Sequence, residues 1–386
     1  MLEARTLLVL LCVAVGAAAC GDREVKTADG GGAGSDVIAP APDQGPPFVG
    51  GKDVDILLVM DNSGSMGEEQ IQLVSAIGQF NGLISRLRDP RFGDDGTGKP
   101  CSASTSQGCA LPNLHVGIVS TDLGAGSYGL PSCERTGGDE GKLQADARVA
   151  GCARPADAYV AYIDGKTNIP GAGSDSVQAV SEGLTCIGRL GTGGCGFEQP
   201  LESARRALQP GRNPGFLRPG AALAIIIISD EDDCSARNTA LFDPTQQALS
   251  DPLGPLTSFR CFEFGVECDI NDRSKIGPRQ NCAPSQDWLY SVESYVTFFK
   301  GLKPPGGVIV AAISGPAERV EVGKDGPNPV LMPSCTSAAG AAVPAIRLRA
   351  FTDAFGADGI FSSICLANYG PAMAAVAERV LTKLAP

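Results

Sequence analysis

Four short apolar runs, rich in valine, isoleucine, leucine and alanine, are the clearest pattern along the chain. They occupy residues 54–60, 114–120, 221–229 and 307–314. Continuous runs of this kind, in contrast to alternating apolar and polar positions, are typical of strands buried on both faces of a parallel sheet. Three of the runs end in small or acidic residues. The sequence therefore places polar groups at the carboxyl edge of the predicted sheet.

Helical segments are predicted between and after these strands. Residues 68–88 carry apolar side chains at helical spacing, which forms one apolar stripe. Residues 200–208, 288–302 and 371–384 are also predicted to be helical, and the last of these should close the fold. Strands that alternate with helices predict an α/β fold, with a doubly wound, mostly parallel sheet and right-handed crossovers.

Three long stretches interrupt this alternation, at about residues 89–112, 127–194 and 235–287, and the first two are rich in glycine. Loops of this length are uncommon in compact domains unless they are functional or cross-linked. They carry most of the cysteines. We therefore expect disulfide-braced loop insertions within a single domain, residues 52–386, and no separate domains.

The start of the chain has the pattern of an export signal. Residues 1–19 combine a basic residue, a short apolar core and a run of small residues that leads to Cys20. The core is shorter than the roughly 20 residues of a membrane-spanning helix. Ordinary signal peptidase would cut before Cys20, and the run also resembles a bacterial lipobox, in which that cysteine receives lipid. Residues 21–51, rich in glycine, alanine, proline and aspartate, are expected to form a flexible tether.

Cysteine parity favours the lipoprotein interpretation. Of 14 cysteines, Cys12 leaves with the signal, which leaves 13, and lipidation of Cys20 leaves 12. Twelve cysteines can form six disulfides in an oxidising compartment, whereas 13 leave a free thiol. Close neighbours such as Cys101 and Cys109, or Cys261 and Cys268, are candidates for pairing. The residue after Cys20 is Gly21 and not the aspartate that is associated with retention in the inner membrane. We therefore expect an anchor in the outer membrane of a Gram-negative bacterium.

The first predicted strand ends in a group of oxygen-bearing side chains. Asp61, Ser63 and Ser65 form a D-x-S-x-S pattern directly after residue 60 and at the start of the next helix. One carboxylate and two hydroxyls would meet where α/β sheets bind ligands, beyond the carboxyl ends of the strands. Hard oxygen ligands of low total charge suit Mg²⁺. The alternative is that these residues only cap the helix that follows.

Residues 54–66, VDILLVMDNSGSM, resemble the first strand and the metal-ion-dependent adhesion site of the von Willebrand factor A (VWA) domain family. The resemblance extends over most of the chain after residue 52, although only the motif segments are specific. It implies a Rossmann-like fold and a Mg²⁺ or Mn²⁺ ion held by Asp61, Ser63 and Ser65. Asp230, at the end of the third apolar run, matches a further carboxylate of the family's site.

The family also supplies a threonine from a loop that precedes a helix. Here Thr192 lies slightly early for that position and Cys195 lies nearest to it, so Glu198 is an alternative ligand. Further contacts to the site are expected from three aspartates: Asp122, Asp232 and Asp233. The acidic tract that begins at Asp230 would favour Ca²⁺ as an alternative to Mg²⁺.

Composition excludes several classes of function. With 31 Lys and Arg against 43 Asp and Glu, the net charge is −12, which makes nucleic acid a poor partner. His115 is the single histidine, so most Ser–His–Asp triads and histidine-based zinc sites are excluded. No general base or nucleophile stands beside the predicted metal, and we do not expect an enzyme.

The leading hypothesis is a cell-envelope lipoprotein whose metal-dependent, adhesion-type domain binds a protein or glycan ligand that offers an acidic group. One alternative is an exported metal-dependent hydrolase that uses Asp230 or Glu231 as the base on a bound water. Another is a structural surface module with a vestigial metal site.

Overall fold

The structure, a computed structural model, describes residues 46–70, 77–133, 135–338 and 340–385. The side chains of residues 77–81 are not among those described. The predicted signal peptide, Cys20 and most of the predicted tether lie outside these ranges. Across the described ranges, none of the helices has both the length and the apolar content needed to cross a bilayer.

The protein is a mixed α/β fold built on a large, mostly parallel sheet. The strands in chain order are β1 (Asp53–Met60), β2 (Asn113–Ser120), β3 (Val160–Ile163), β4 (Lys166–Thr167), β5 (Ala222–Ile228), β6 (Val266–Glu267), β7 (Gly277–Arg279), β8 (Ala283–Pro284), β9 (Val308–Ser314), β10 (Val320–Asp325), β11 (Asn328–Leu331), β12 (Cys335–Thr336), β13 (Ala341–Ala342) and β14 (Gly359–Ser363). The α-helices are α1 (Ile77–Arg86), α2 (Ser176–Gly188), α3 (Pro200–Ala207), α4 (Phe259–Gly265), α5 (Val292–Lys300), α6 (Ile346–Asp353) and α7 (Gly370–Leu381).

The central sheet has the strand order β14-β9-β5-β1-β2-β3-β4. Its first five strands run parallel, whereas β3 and β4 extend it as antiparallel edge strands. In this register Met60 lies level with Ser120 and with Ile228. The residues that follow these three strands therefore meet at one edge of the sheet. The remaining short strands form small sheets outside it.

Helices cover both faces of the sheet, and β1 shows why residues 56–60 are continuously apolar. Ile56 and Leu58 pack in one core with α1, α2 and α7. Leu57 and Val59 point the other way and pack in a second core with α3, α5 and α6. Because successive side chains of a strand point to opposite faces, a strand covered on both sides needs apolar residues at every position.

The predicted strands are present with ends displaced by one residue at most, and the helices are shorter than predicted. Of the segment 68–88, residues 68–70 and α1 are helical, while residues 71–76 lie outside the described ranges. The segment 288–302 contains α5, which begins later because the Ser291 side chain accepts a hydrogen bond from the Ser294 N–H and caps the helix there.

The expected insertion at 127–194 contributes to the main fold. It contains β3 and β4 of the central sheet, and α2, whose residues Val180 and Leu184 are fully buried in the first core. Asp175 caps α2 by accepting hydrogen bonds from the N–H groups of Val177 and Gln178. This segment is therefore only partly the loop insertion that its glycine content suggested.

Six disulfides join all twelve cysteines from Cys101 onward, which confirms the predicted disulfide bonding. The pairs are Cys101–Cys109, Cys133–Cys195, Cys152–Cys186, Cys234–Cys261, Cys268–Cys282 and Cys335–Cys365. The suggested pairing of Cys261 with Cys268 is wrong. Cys261 lies on α4 and faces the loop after β5, while Cys268 joins the short hairpin of β6 and β8.

Both ends of the described domain lie at the amino ends of the strands. The Phe48 N–H donates to the Pro305 carbonyl at 2.8 Å, shortly before β9 begins. The Ala385 N–H donates to the Gly50 carbonyl at 3.2 Å, shortly before β1 begins. The first and last described segments therefore meet at the sheet edge opposite to the predicted metal site.

His115 lies within β2, on the side of the strand that faces the second core. Its Nδ1 is 2.9 Å from the Phe216 carbonyl oxygen, and its ring centroid is 4.5 Å from that of Tyr159. Burial lowers the pKa of His115. A neutral, packed imidazole in this position is a structural residue.

Candidate metal centre

Asp61 occupies the first position beyond β1, where the backbone still follows the sheet. Its N–H donates to the Ile228 carbonyl at 3.0 Å. Its side chain is completely buried, and Oδ1 accepts a hydrogen bond from the Ser63 N–H at 2.8 Å. Oδ2 accepts from the Ser229 hydroxyl at 2.6 Å. The hydroxyl oxygens of Ser63 and Ser65 are 3.0 Å apart. The D-x-S-x-S residues thus form one compact cluster of oxygens.

Asp230 joins this cluster from the end of β5. It interacts with the Ser65 hydroxyl and lies close enough to Asp61 for the two carboxyl groups to interact directly. Burial, followed by the charges of Asp61 and Glu231, raises the pKa of Asp230 to about 8. Burial also raises the pKa of Asp61. Ser63, Ser65 and these two aspartates therefore meet in one place, and among the described residues no basic side chain pairs with the two carboxyl groups.

Glu198 reaches the same cluster from the loop before α3. It is 1% exposed, and it interacts with the Glu231 carboxyl. Burial and the charge of Glu231 raise the pKa of Glu198 well above its usual value, and burial raises the pKa of Glu231 to about 7. Two adjacent buried carboxyl groups disfavour the state in which both are ionised.

Thr192 lies in the loop before α3, close to Gly67. It is exposed, and its methyl group would be 3.5 Å from a β-carbon at Gly67. Within the described ranges no hydrogen bond joins its hydroxyl to Asp61, Ser63, Ser65 or Asp230. Further along the loop, the Gly194 N–H donates to the Asn62 carbonyl at 2.8 Å. A β-carbon at Gly194 would lie 2.3 Å from Asn62 Oδ1, so glycine allows this close approach.

Asp122 is buried but faces away from the serines. Its Oδ1 accepts from the Gly124 N–H at 2.8 Å, and its Oδ2 is 3.6 Å from Arg135 Nη2. Burial raises its pKa, opposed by the hydrogen bond from Gly124. Asp122 therefore holds the loop that follows β2.

Asp232 and Asp233 anchor the loop after β5 to neighbouring helices. The Asp232 carboxylate accepts from the backbone N–H groups of Arg347 and Leu348, at 2.9 and 3.1 Å, which caps α6. Burial raises the pKa of Asp232 to about 6. Asp233 pairs with the Arg347 guanidinium at 3.1 Å, and it accepts from the Leu201 N–H in α3 at 3.1 Å. Both aspartates position the segments that carry Asp230 and Glu198.

Sequence reasoning missed Gln70 as a residue of the site. Its Nε2 donates to the Asp61 carbonyl at 2.8 Å and to the Gly191 carbonyl at 2.9 Å, and its Oε1 accepts from the Gly191 N–H at 3.1 Å. It thus ties the loop of residues 191–198 to the end of β1. A polar residue on a predicted helix gives no sequence signal for this role. Ser229, in contrast, could have been found from the sequence, because it stands at the end of a predicted strand, directly before Asp230.

The residues present fit a hard divalent cation. Asp230 Oδ1, Glu198 Oε2 and Thr121 Oγ1 are buried and have no hydrogen-bond partner in the described part of the chain. The charged neighbours that shift the pKa of Asp230 are Asp61, Glu231 and Glu69, all carboxylates. Within the same residues, no three Asp, Glu, His or Cys side chains form a metal-binding group by themselves. A cation here would therefore depend on the serine hydroxyls together with the carboxylates.

Comparison with known proteins adds little to this description. No family model matches the chain, and no curated protein matches it. Among solved structures, it is similar to the conserved hypothetical protein BatB from Bacteroides thetaiotaomicron, with 14% sequence identity and a TM-score of 0.31. The similarity covers 86% of this chain and 98% of that chain. At so low a TM-score the likeness supports no conclusion about this chain.

Proposed function

We propose that this protein is a cell-envelope lipoprotein whose VWA-like, Rossmann-like domain binds Mg²⁺, with Mn²⁺ or Ca²⁺ as alternatives, and through it a protein or glycan ligand. The observation that carries the proposal is the convergence of Asp61, Ser63, Ser65 and Asp230 at the carboxyl edge of the sheet, where the buried carboxylates have no positive partner in the part of the chain that the structure describes. A helix cap alone would not bring Asp230 to the same place.

The chain's own residues account for the proposed binding mode. Asp61 is held by Ser63 and Ser229, so its carboxylate is already oriented before the ion arrives. Ser63 and Ser65 provide neutral oxygens, which fill coordination positions without adding negative charge. The ion, when bound, supplies a positive charge and an open position for an acidic group of the ligand. Glu198, from the loop that also carries Thr192, supplies a further carboxylate beside Asp61.

Calorimetry tests the metal site directly. The exported chain, carrying Cys20→Ser to prevent lipidation, is titrated with Mg²⁺, Mn²⁺ and Ca²⁺ beside its Asp61→Asn and Ser65→Ala variants. We expect saturable binding in the parent, loss of binding in Asp61→Asn and weaker binding in Ser65→Ala. Asp325→Asn, at an exposed position in β10, is the matched control. Equal, negligible heats in all four proteins would mean that the D-x-S-x-S residues only cap the helix that follows them.

Lipid attachment needs its own experiment. A cell that expresses the chain is fed an alkyne-labelled fatty acid, and the membrane fractions are separated. We expect label on the wild-type protein in the outer-membrane fraction and none on Cys20→Ser. A labelled Cys20→Ser protein, or an unlabelled wild type, would contradict the proposed anchor at this residue.

A further inference from the structure

A cavity of about 260 Å³ adjoins the carboxylate cluster. Its walls come from α4, from β11 and from the segments around Asp232 and Val343. Glu231 belongs both to this cavity and to the cluster, because its carboxyl interacts with Glu198 on one side and with the Ser258 hydroxyl on the other. Val343 connects the two as well, since its N–H donates to the Asp230 carbonyl at 3.0 Å.

The chemistry of the lining is that of a pocket for an apolar stem with a polar, positively charged end. Phe259, Phe262 and Leu331 provide the apolar walls. Thr257 Oγ1 is buried at the cavity without a hydrogen-bond partner among the described residues. The lining contains two acidic residues and no lysine, arginine or histidine.

The two acidic residues differ in what they can offer. Asp232 is already satisfied by the N-terminus of α6, so its oxygens are occupied. Glu231 lines the cavity, and among the described residues no lysine, arginine or histidine lines it with Glu231. Its carboxyl is therefore the group that gains most from an incoming cation.

We propose that this cavity receives the basic side chain, lysine or arginine, of a partner polypeptide. The methylene stem packs against the apolar walls, and the cationic end meets Glu231. Lysine and arginine bury apolar stems and carry hydrogen-bond donors at their ends, which matches this combination of walls. The inference builds on the proposed function in one respect. In the proposed function an acidic group of the ligand binds the metal. Because the basic side chain enters the neighbouring cavity, the preferred ligand is a protein segment that carries an acidic and a basic residue close together.

The insertion at residues 235–287 forms part of the proposed ligand-binding site. It contributes α4, which forms one wall of the cavity, and Cys261 on that helix is bonded to Cys234, close after Glu231 in the chain. The disulfide therefore fixes the distance between the cavity wall and the metal-binding loop. The insertion therefore helps to determine which ligands bind, beyond the requirement for an acidic group.

The cavity is tested with n-butylguanidinium and its near-isosteric neutral analogue n-butylurea, by methyl NMR of the full exported chain at pH 8 in EDTA. We expect butylguanidinium to shift the methyl signals of Val330, Leu331 and Val343, with at least tenfold higher affinity than butylurea. Glu231→Gln should abolish the preference for the cation, and Leu331→Phe, which fills the cavity from its rim, should block both probes.

Several results would overturn the inference. They are unmoved methyl signals, equal affinity for the two probes, a preference retained in Glu231→Gln, or unchanged binding in a folded Leu331→Phe protein. Because the measurement is made without metal, its failure leaves the metal site untouched, and a failed metal titration leaves this result interpretable. Added Mg²⁺ and an N-acetyl-Asp-Arg-amide peptide then test both halves of the ligand together. Binding no tighter than that of butylguanidinium would refute the link between the two sites.

Discussion

Replacing Asp230 by asparagine is expected to stabilise the metal-free protein, and more strongly at pH 8 than at pH 5. In the folded chain, burial and the charges of Asp61 and Glu231 raise the pKa of Asp230 from 3.8 to about 8. In the unfolded chain the carboxyl is hydrated and keeps its ordinary pKa. Between these two values the folded chain holds a proton that the unfolded chain has released, so the free energy of unfolding falls as the pH rises.

The size of the effect follows from that difference in pKa. At about 1.4 kcal/mol for each pKa unit, raising the pH from 5 to 8 costs the metal-free wild type about 4 kcal/mol through this one carboxyl. The amide of the variant does not ionise and escapes the cost. A divalent cation neutralises the carboxylate, so saturating Mg²⁺ should restore stability to the wild type and do little for Asp230→Asn.

Urea unfolding, followed by circular dichroism at pH 5 and pH 8 in EDTA, measures this difference. We expect the unfolding midpoint of Asp230→Asn to exceed that of the wild type by a margin that grows with pH. The exposed Asp325→Asn protein should follow the wild type at both values. If Asp230→Asn is no more stable than the wild type at pH 8, or gains the same stability at both pH values, then burial and charge repulsion do not raise the pKa of Asp230.

Three further outcomes are expected. Arg347→Met should lower the free energy of unfolding by about 3–5 kcal/mol, because it leaves the buried Asp233 carboxylate unpaired; urea unfolding at pH 7 that shows under 1 kcal/mol would contradict this. Removing the Cys133–Cys195 disulfide by a double serine substitution should cost about 4 kcal/mol by loop entropy, measured against the oxidised parent, and an unchanged unfolding midpoint would argue against it. Gln70→Ala should weaken Mg²⁺ binding about tenfold in calorimetry while the thermal midpoint changes little; unaltered affinity would show that the loop is held without it.

The main strands could be predicted because burial on both faces requires a continuous run of apolar residues, which is visible in the sequence. Residues 54–60 and 221–229 are apolar at nearly every position, and the structure covers both strands with helices on both sides. The approach of Asp230 to Asp61 was predictable for the same reason, since parallel neighbours end at one edge. Disulfide bonding followed from the count of cysteines, whereas the partner of Cys261 did not, because pairing depends on how α4 folds back.

Other parts of the fold and site carry too little local signal. The strands β3 and β4 are four and two residues long, too short for a periodic pattern to show within a glycine-rich segment. The approach of Glu198 to Glu231 is a tertiary contact between two loops, and nothing in either segment specifies it. Thr192 was suggested by resemblance to a family loop, and the structure brings Glu198 to the cluster from that loop.

The meeting of the two ends of the described domain has a practical consequence for how this protein can be handled. Phe48 and Ala385 lie beside the starts of the central strands, and the carboxylate cluster lies beyond their far ends. A tag, a sensor surface or a fused reporter joined next to residue 48 or after residue 385 will leave the domain from the same side. Immobilisation at either position should therefore present the same face of the domain, with the carboxylate cluster turned away from the attachment point, and a circular permutant that joins these two positions with a short linker should keep that face intact.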